Sequence, residues 1–113
     1  GEVLLGAYEG AVINIHPSLL PAFPGLEAQR QALEYGVKVS GCTVHFVDRG
    51  MDTGPIISQQ AVPVREDDSV ESLAARILVE EHRLLTRTVR LLATRRVEVV
   101  GRRVYIPNPG GSD

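Results

Sequence analysis

Two short runs hold the residues whose types and spacing could do chemistry. One is Asn14-Ile15-His16-Pro17-Ser18-Leu19-Leu20-Pro21, and the other is Met51-Asp52-Thr53-Gly54-Pro55. Asn14 and His16 are two apart on an extended segment, so they project to one side. An imidazole, with a reference pKa near ~6.5, suits proton transfer at neutral pH. An amide can donate to a developing oxyanion, and a carboxylate can hold an imidazole in place and favour its protonated form. Amide, imidazole and carboxylate together are what a formyl or acyl transfer to an amine needs.

Each residue also has a plainer reading. Asn14 interrupts an apolar strand, and a buried amide without partners costs about 1–3 kcal/mol. It either bonds backbone where strand becomes loop or serves a ligand. A lone strand-end histidine such as His16 is often structural, and Asp52 could be a turn aspartate bonding its own backbone. Glu81 falls within the apolar stripe of a helix, between Ile77 and Leu84/Leu85, where a carboxylate must be paired or must line a cavity. His82 at the stripe edge reads as structural, His45 as a satisfied core histidine and Cys42 as packing. Three histidines without ligand spacing give no case for a metal. No Gly-x-Gly-x-x-Gly or P-loop pattern occurs.

The elements that must position these residues alternate between strand and helix. Residues 11–15 read as an apolar strand of the kind buried on both faces in parallel sheets. Pro17 forces His16 toward an extended conformation. Residues 17–25 form a proline-rich rigid loop in which Leu20-Pro21 is a candidate cis bond. Residues 26–35 predict a helix, with Leu26, Gln29/Arg30 and Leu33 at helical spacing and Gly36 as its stop. Residues 41–47 and 56–64 read as strands joined by a loop over 48–55, with Pro63 placing one strand end at an edge. Residues 69–93 predict a long amphipathic helix, with a capping box from Asp68 and Glu71. Its stripe runs through Val70, Leu73, Ala74, Ile77, Leu84, Leu85, Thr88 and Leu92. Residues 97–100 and 103–106 suggest a hairpin around Gly101-Arg102, and residues 107–113 a flexible tail. The expectation is an α/β layer architecture, with a mixed, partly parallel sheet, two helices and a C-terminal β-hairpin. Asn14 and His16 then sit at a strand's carboxyl end, where such sheets bind ligands.

With 113 residues, 43% of them apolar, the chain is bounded to one small domain. A net charge of −2, with both signs mixed, argues against nucleic acid as a partner. Arg83, Arg87, Arg90, Arg95 and Arg96 interleave with helix apolar positions, as on a solvated face. No apolar run is long enough to span a bilayer, and no signal peptide is visible. A single cysteine cannot form an internal disulfide, which suits a reducing, cytoplasmic compartment. The chain opens with a loop-like or helix-end segment and no initiator methionine, as a piece of something longer would.

At these residues the chain resembles the phosphoribosylglycinamide formyltransferase family, folate-dependent enzymes of purine synthesis. The matching text is Asn14 to Pro21, Phe23-Pro-Gly-Leu26, Gln31-Ala-Leu33, Val44-His-Phe-Val47, Asp52-x-Gly-Pro55-Ile-Ile, and Glu81-His82. Methionyl-tRNA formyltransferase fits less well, because it continues differently after Leu-Pro and has Asp-Thr-Gly-Asp where this chain has Asp52-Thr53-Gly54-Pro55. Formyltetrahydrofolate deformylase usually has a second histidine where Pro17 stands. A deformylase and a non-catalytic folate-binding or assembly module stand as the alternatives.

The resemblance implies the C-terminal part of a Rossmann-like formyltransferase fold, with residues 1–106 as the C-terminal half of the formyltransferase domain. It implies a transferase in which 10-formyltetrahydrofolate gives its formyl group to the amine of glycinamide ribonucleotide without a metal. Asn14 would hydrogen-bond the formyl oxygen, His16 would shuttle protons, and Asp52 would favour the protonated imidazole and order a water. The backbone of Asp48, Arg49, Gly50, Met51 and Asp52 would hold the pterin, and Glu81 would contact the ribose hydroxyls. Two departures stand out. Glu27 replaces a histidine common after Pro-Gly-Leu, and the family's N-terminal half, with its phosphate loop, is not in this text. Its absence would leave the sheet edge at Val12-Ile13 unpaired and open to self-association.

Overall fold

The computed structural model describes residues 2–5 and 11–108. Its elements run β1 (Glu2–Leu5), β2 (Ala11–His16), α1 (Ala28–Tyr35), β3 (Val39–Phe46), β4 (Ile56–Pro63), α2 (Val70–Thr94), β5 (Glu98–Val100) and β6 (Arg103–Tyr105). They form a six-stranded mixed sheet in the order β1-β2-β3-β4-β6-β5. The architecture is the expected α/β one, with two helices and a C-terminal hairpin.

The pairing differs from the parallel arrangement expected around residues 11–15. β2 is antiparallel to both β1 and β3, and β3 is antiparallel to β4. Among the described residues the one parallel pair is β4 with β6, joined at Ile56 and Arg103. A continuous apolar run reports that both faces are covered, not what covers them. Here Ile13, Cys42, Val44 and Val62 share a core with Leu73, Ile77, Leu84 and Leu92 of α2. The opposite face is covered by the loops after β2 and β3. The segment expected as loop or helix end contains β1, which pairs with Ala11 to Asn14. The edge at Val12-Ile13 is thus occupied by the chain's own residues.

α2 is 25 residues long, and its buried positions are Leu73, Ile77, Thr88, Leu84 and Leu92. Each buried aliphatic side chain contributes about 1.5–3 kcal/mol, which outweighs helix propensity and fixes the helix on the sheet. Its start corrects the expected cap. Ser69, not Asp68, accepts from the Ser72 amide, and the Ser72 hydroxyl accepts from the Ser69 amide. Asp68 instead accepts from Arg76 and from the Arg65 amide, which hold its carboxyl well below the usual range. A serine at the third helical position completes the box as a glutamate would.

α1 is short, and eight-residue helices are marginal alone. Buried Ala28 and Ala32 hold it down, and Gly36 ends it at φ 91. It starts two residues later than its composition predicts. Glu27 takes a left-handed conformation at φ 59, and Leu26 is 85% exposed, outside the helix. Of the expected tail, Pro107 and Asn108 are irregular, with Asn108 accepting a bond from Arg95. Residues 109–113 lie outside the described residues.

Candidate active site

β2 delivers Asn14 and His16 to the sheet face opposite α2. Register places Asn14 beside His45 and His16 beside Thr43. Paired residues share a face, so the second strand brings a histidine and a threonine to the same surface. Between Val44 and His45 the β3–β4 register shifts, a local bulge of the kind that re-aims side chains next to active sites.

The loop after β2 folds over this surface and is tied down by Thr43. The Thr43 hydroxyl donates to the Ser18 carbonyl at 2.7 Å and accepts from the Leu20 amide at 3.1 Å and from Gln59 at 3.0 Å. Leu20-Pro21 is cis. The Ser18 hydroxyl donates to Ala22 O at 2.5 Å. Phe23, held by this loop at φ 52, presents its carbonyl to His16 Nε2 at 2.8 Å. A carbonyl can only accept, so Nε2 is the donor.

The loop after β3 supplies Asp52. Its Oδ2 lies 3.5 Å from His16 Nδ1 and accepts from the Gly25 amide at 2.7 Å. Its Oδ1 lies 3.7 Å from His45 Nε2. One carboxylate therefore stands between two imidazoles that are each nearly sealed from solvent, His16 at 5% and His45 at 2% exposure. His45 Nδ1 bonds the Phe46 carbonyl at 3.0 Å, leaving Nε2 buried without a hydrogen-bond partner. The carboxylate side chain is itself only 10% exposed.

The loop itself is internally braced. Asp48 Oδ1 accepts from the Thr53 hydroxyl at 2.7 Å and the Gly50 amide at 2.9 Å, and these bonds hold the Asp48 carboxyl below the usual range. Gly54 packs so closely that a Cβ there would stand 1.6 Å from the Phe46 carbonyl oxygen. Arg49, Gly50 and Met51 are exposed at the rim. A cavity of about 330 Å³ opens beside Asp52, walled by Leu20, Pro24, Ile56 and Arg102.

The structure thus brings His16 and Asp52 together, sets Asn14 on the same face, and gathers Asp48 to Met51 at the rim. The Asn14 amide is half-buried and makes no hydrogen bond among the described residues. Glu81 stays on α2 and touches none of these groups through a hydrogen bond or ion pair. Burial raises its pKa, and the charges of His82 and His16 partly oppose that rise. Sequence reasoning missed His45 as a partner of Asp52, Thr43 as the anchor of the loop, and the Gly25 amide. Strand periodicity does place His45 opposite Val44, but only the β2–β3 register shows that this is the side of Asn14.

Among the described residues no three His, Cys, Asp or Glu side chains converge as metal ligands would, and no helix is long and apolar enough to cross a membrane.

Residues 1–89 match the family model described as formyl transferase. The chain is 55% identical over 102 residues to phosphoribosylglycinamide formyltransferase of Mycobacterium tuberculosis, covering 90% of this chain and 47% of that protein. It superposes on the crystal structure of glycinamide ribonucleotide transformylase 1 from Symbiobacterium toebii with TM-score 0.81 and 68% identity, over 83% of this chain and 44% of that one. A formyltetrahydrofolate deformylase from Pseudomonas syringae superposes with TM-score 0.79 but 38% identity, over 83% of this chain and 32% of that one. The chain spans just under half the length of the first two.

Proposed function

The chain belongs to the formyl transferase family, and from that premise we propose that it carries the chemical centre of a phosphoribosylglycinamide formyltransferase. The reaction moves a formyl group from 10-formyltetrahydrofolate to the amine of 5'-phosphoribosylglycinamide. The observation that carries this reading is the Asp52 carboxylate, bonded by the Gly25 amide and facing the His16 imidazole, with Asn14 two residues away on the same strand face.

In this reading the substrate amine attacks the formyl carbon, and the carbonyl oxygen becomes an oxyanion. The Asn14 amide donates to that oxyanion, where a preorganised donor is worth far more than in water. His16 takes the proton lost by the attacking nitrogen and returns one to the folate nitrogen as the carbon–nitrogen bond breaks. Asp52 fixes the ring and stabilises it while it carries charge. The backbone of Asp48, Arg49, Gly50, Met51 and Asp52 borders the pterin, and Glu81 receives the ribose hydroxyls. The substrate phosphate falls to a part of the fold outside this chain.

The test is formyl transfer by this chain supplied with the N-terminal half of a homologue. We expect activity that needs both the added half and His16, with His16→Ala losing about 10²–10⁴-fold. Formate released without formylated product would point to the deformylase. No turnover from a chain that folds and assembles with the added half would favour a non-catalytic module.

A further inference from the structure

The C-terminal hairpin is absorbed by neither the core nor the reaction as described, yet it is held in a specific place. Val97, Val104 and Ile106 pack its base against the core, while Val99 and Val100 stay exposed. β6 joins the sheet through the single Ile56–Arg103 pair. The two-residue turn has Gly101 at φ 59, the conformation that a tight hairpin needs at its first central position. This turn aims Arg102 at the loop that carries Asp52. One guanidinium nitrogen, Nη2, donates to the Thr53 carbonyl at 2.8 Å and to the Gly54 carbonyl at 3.3 Å.

Those two carbonyls directly follow Asp52, which is held at φ 57, a left-handed conformation uncommon outside glycine, although aspartate enters it more readily than most residues. Most of the loop is exposed, so packing alone does not impose it. Asp48 fixes Thr53 through its hydroxyl, and Arg102 fixes it through its carbonyl. The Asp52 carboxylate can then reach the Gly25 amide and the His16 ring together.

We propose that Arg102, carried on the hairpin turn, is a positioning residue that holds the Asp52 carboxylate against His16 by clamping the Thr53 and Gly54 carbonyls. The assignment rests on the formyl-transfer reading for its consequence in catalysis, but not for its geometry. Both bonds leave one nitrogen at the end of the side chain, so a lysine, with three N–H donors but a shorter reach, restores only part of the clamp.

The Gly25 amide reports the position of Asp52, because its hydrogen bond ends on Oδ2. Amide hydrogen exchange is measured on the full chain for the parent, Arg102→Met and Arg102→Lys. The expected result is at least tenfold faster exchange at Gly25 in Arg102→Met, a partial effect in Arg102→Lys, and unchanged protection at Ile13 and Val44 in the core. Unchanged exchange at Gly25 overturns the proposal. So does a rise shared equally by Gly25 and the core amides, which marks a merely structural residue. In the chain supplied with the N-terminal half, kcat should fall about tenfold in Arg102→Met with KM for the ribonucleotide within twofold. Absence of formyl transfer by the parent would sink the functional reading and leave the exchange result standing on its own.

Discussion

His45 Nε2 stands 3.7 Å from Asp52 Oδ1, the carboxylate oxygen on the far side from the one that faces His16. Asp52 is therefore shared, and its effect on one ring depends on the other. Groups in one network are non-additive, with interaction energies of about 0.5–3 kcal/mol. We expect His45→Gln and Asp52→Asn to show a coupling in that range in a double-mutant cycle on kcat/KM. Additivity within about 0.5 kcal/mol would show that His45 is a core residue that happens to lie near.

Gly54 tests how tightly the loop must close. A Cβ there meets the Phe46 carbonyl oxygen at 1.6 Å, so the backbone must move. Overpacking of this kind costs about 1–3 kcal/mol, and the shift occurs two residues from Asp52. Gly36 is the control: it ends α1 at φ 91 with nothing within 4 Å of its would-be Cβ. Gly36→Ala should lower the urea midpoint modestly and leave formyl transfer intact, whereas Gly54→Ala should lower both. Equal activity in the two variants would show that Asp52 does not depend on the closure of this loop.

Much of the scaffold could be read from the sequence because it follows from local periodicity. The stripe through Leu73, Ile77, Leu84 and Leu92 and the stop at Gly36 are short-range signals, and the structure keeps both. The pair Asn14 and His16 could be read because alternation in a strand is strict. What could not be read is long-range. Asp52 meets His45 across a loop, Thr43 meets Ser18 across 25 residues, and Arg102 meets Thr53 across 49. No periodicity encodes such pairings. Two errors were local competitions. Leu26 has helical spacing, but the left-handed turn at Glu27 delays the helix beyond it. Asp68 has the spacing for a cap, but Ser69 has it too, and Asp68 is drawn to Arg76.

Cys42 should be chemically silent in the folded chain. It is fully buried, and its thiol is pushed up to about 12, first by burial and then by the negative charges of Glu81 and Glu80, with Arg87 opposing. The thiolate is the reactive form. At pH 8 its fraction is then about 10³-fold smaller than that of a free cysteine of pKa ~8.5. Labelling with a disulfide reagent should be slow in the native chain and rapid in urea. Fast native labelling at a rate independent of urea would contradict this burial.

Glu81 is half-buried on α2, and its protonation has a consequence for stability. Burial raises its pKa, so the folded chain holds this proton to a higher pH than the unfolded chain does. Below the ordinary carboxylate range both states are protonated, and Glu81 contributes nothing. As pH rises from there through the raised value, the unfolded state loses its proton first, and stability falls. Above that value the full penalty of burying the charged carboxylate remains. Glu81→Gln should therefore match the parent in urea midpoint near pH 4 and exceed it at pH 8. On the proposed role of Glu81 toward the ribose hydroxyls, the same variant should bind the ribonucleotide less well, and KM should rise more than kcat falls. A pH-independent difference in midpoint would mean that Glu81 is not desolvated. A stability gain with unchanged KM would remove it from the substrate site while leaving its place on the helix as described.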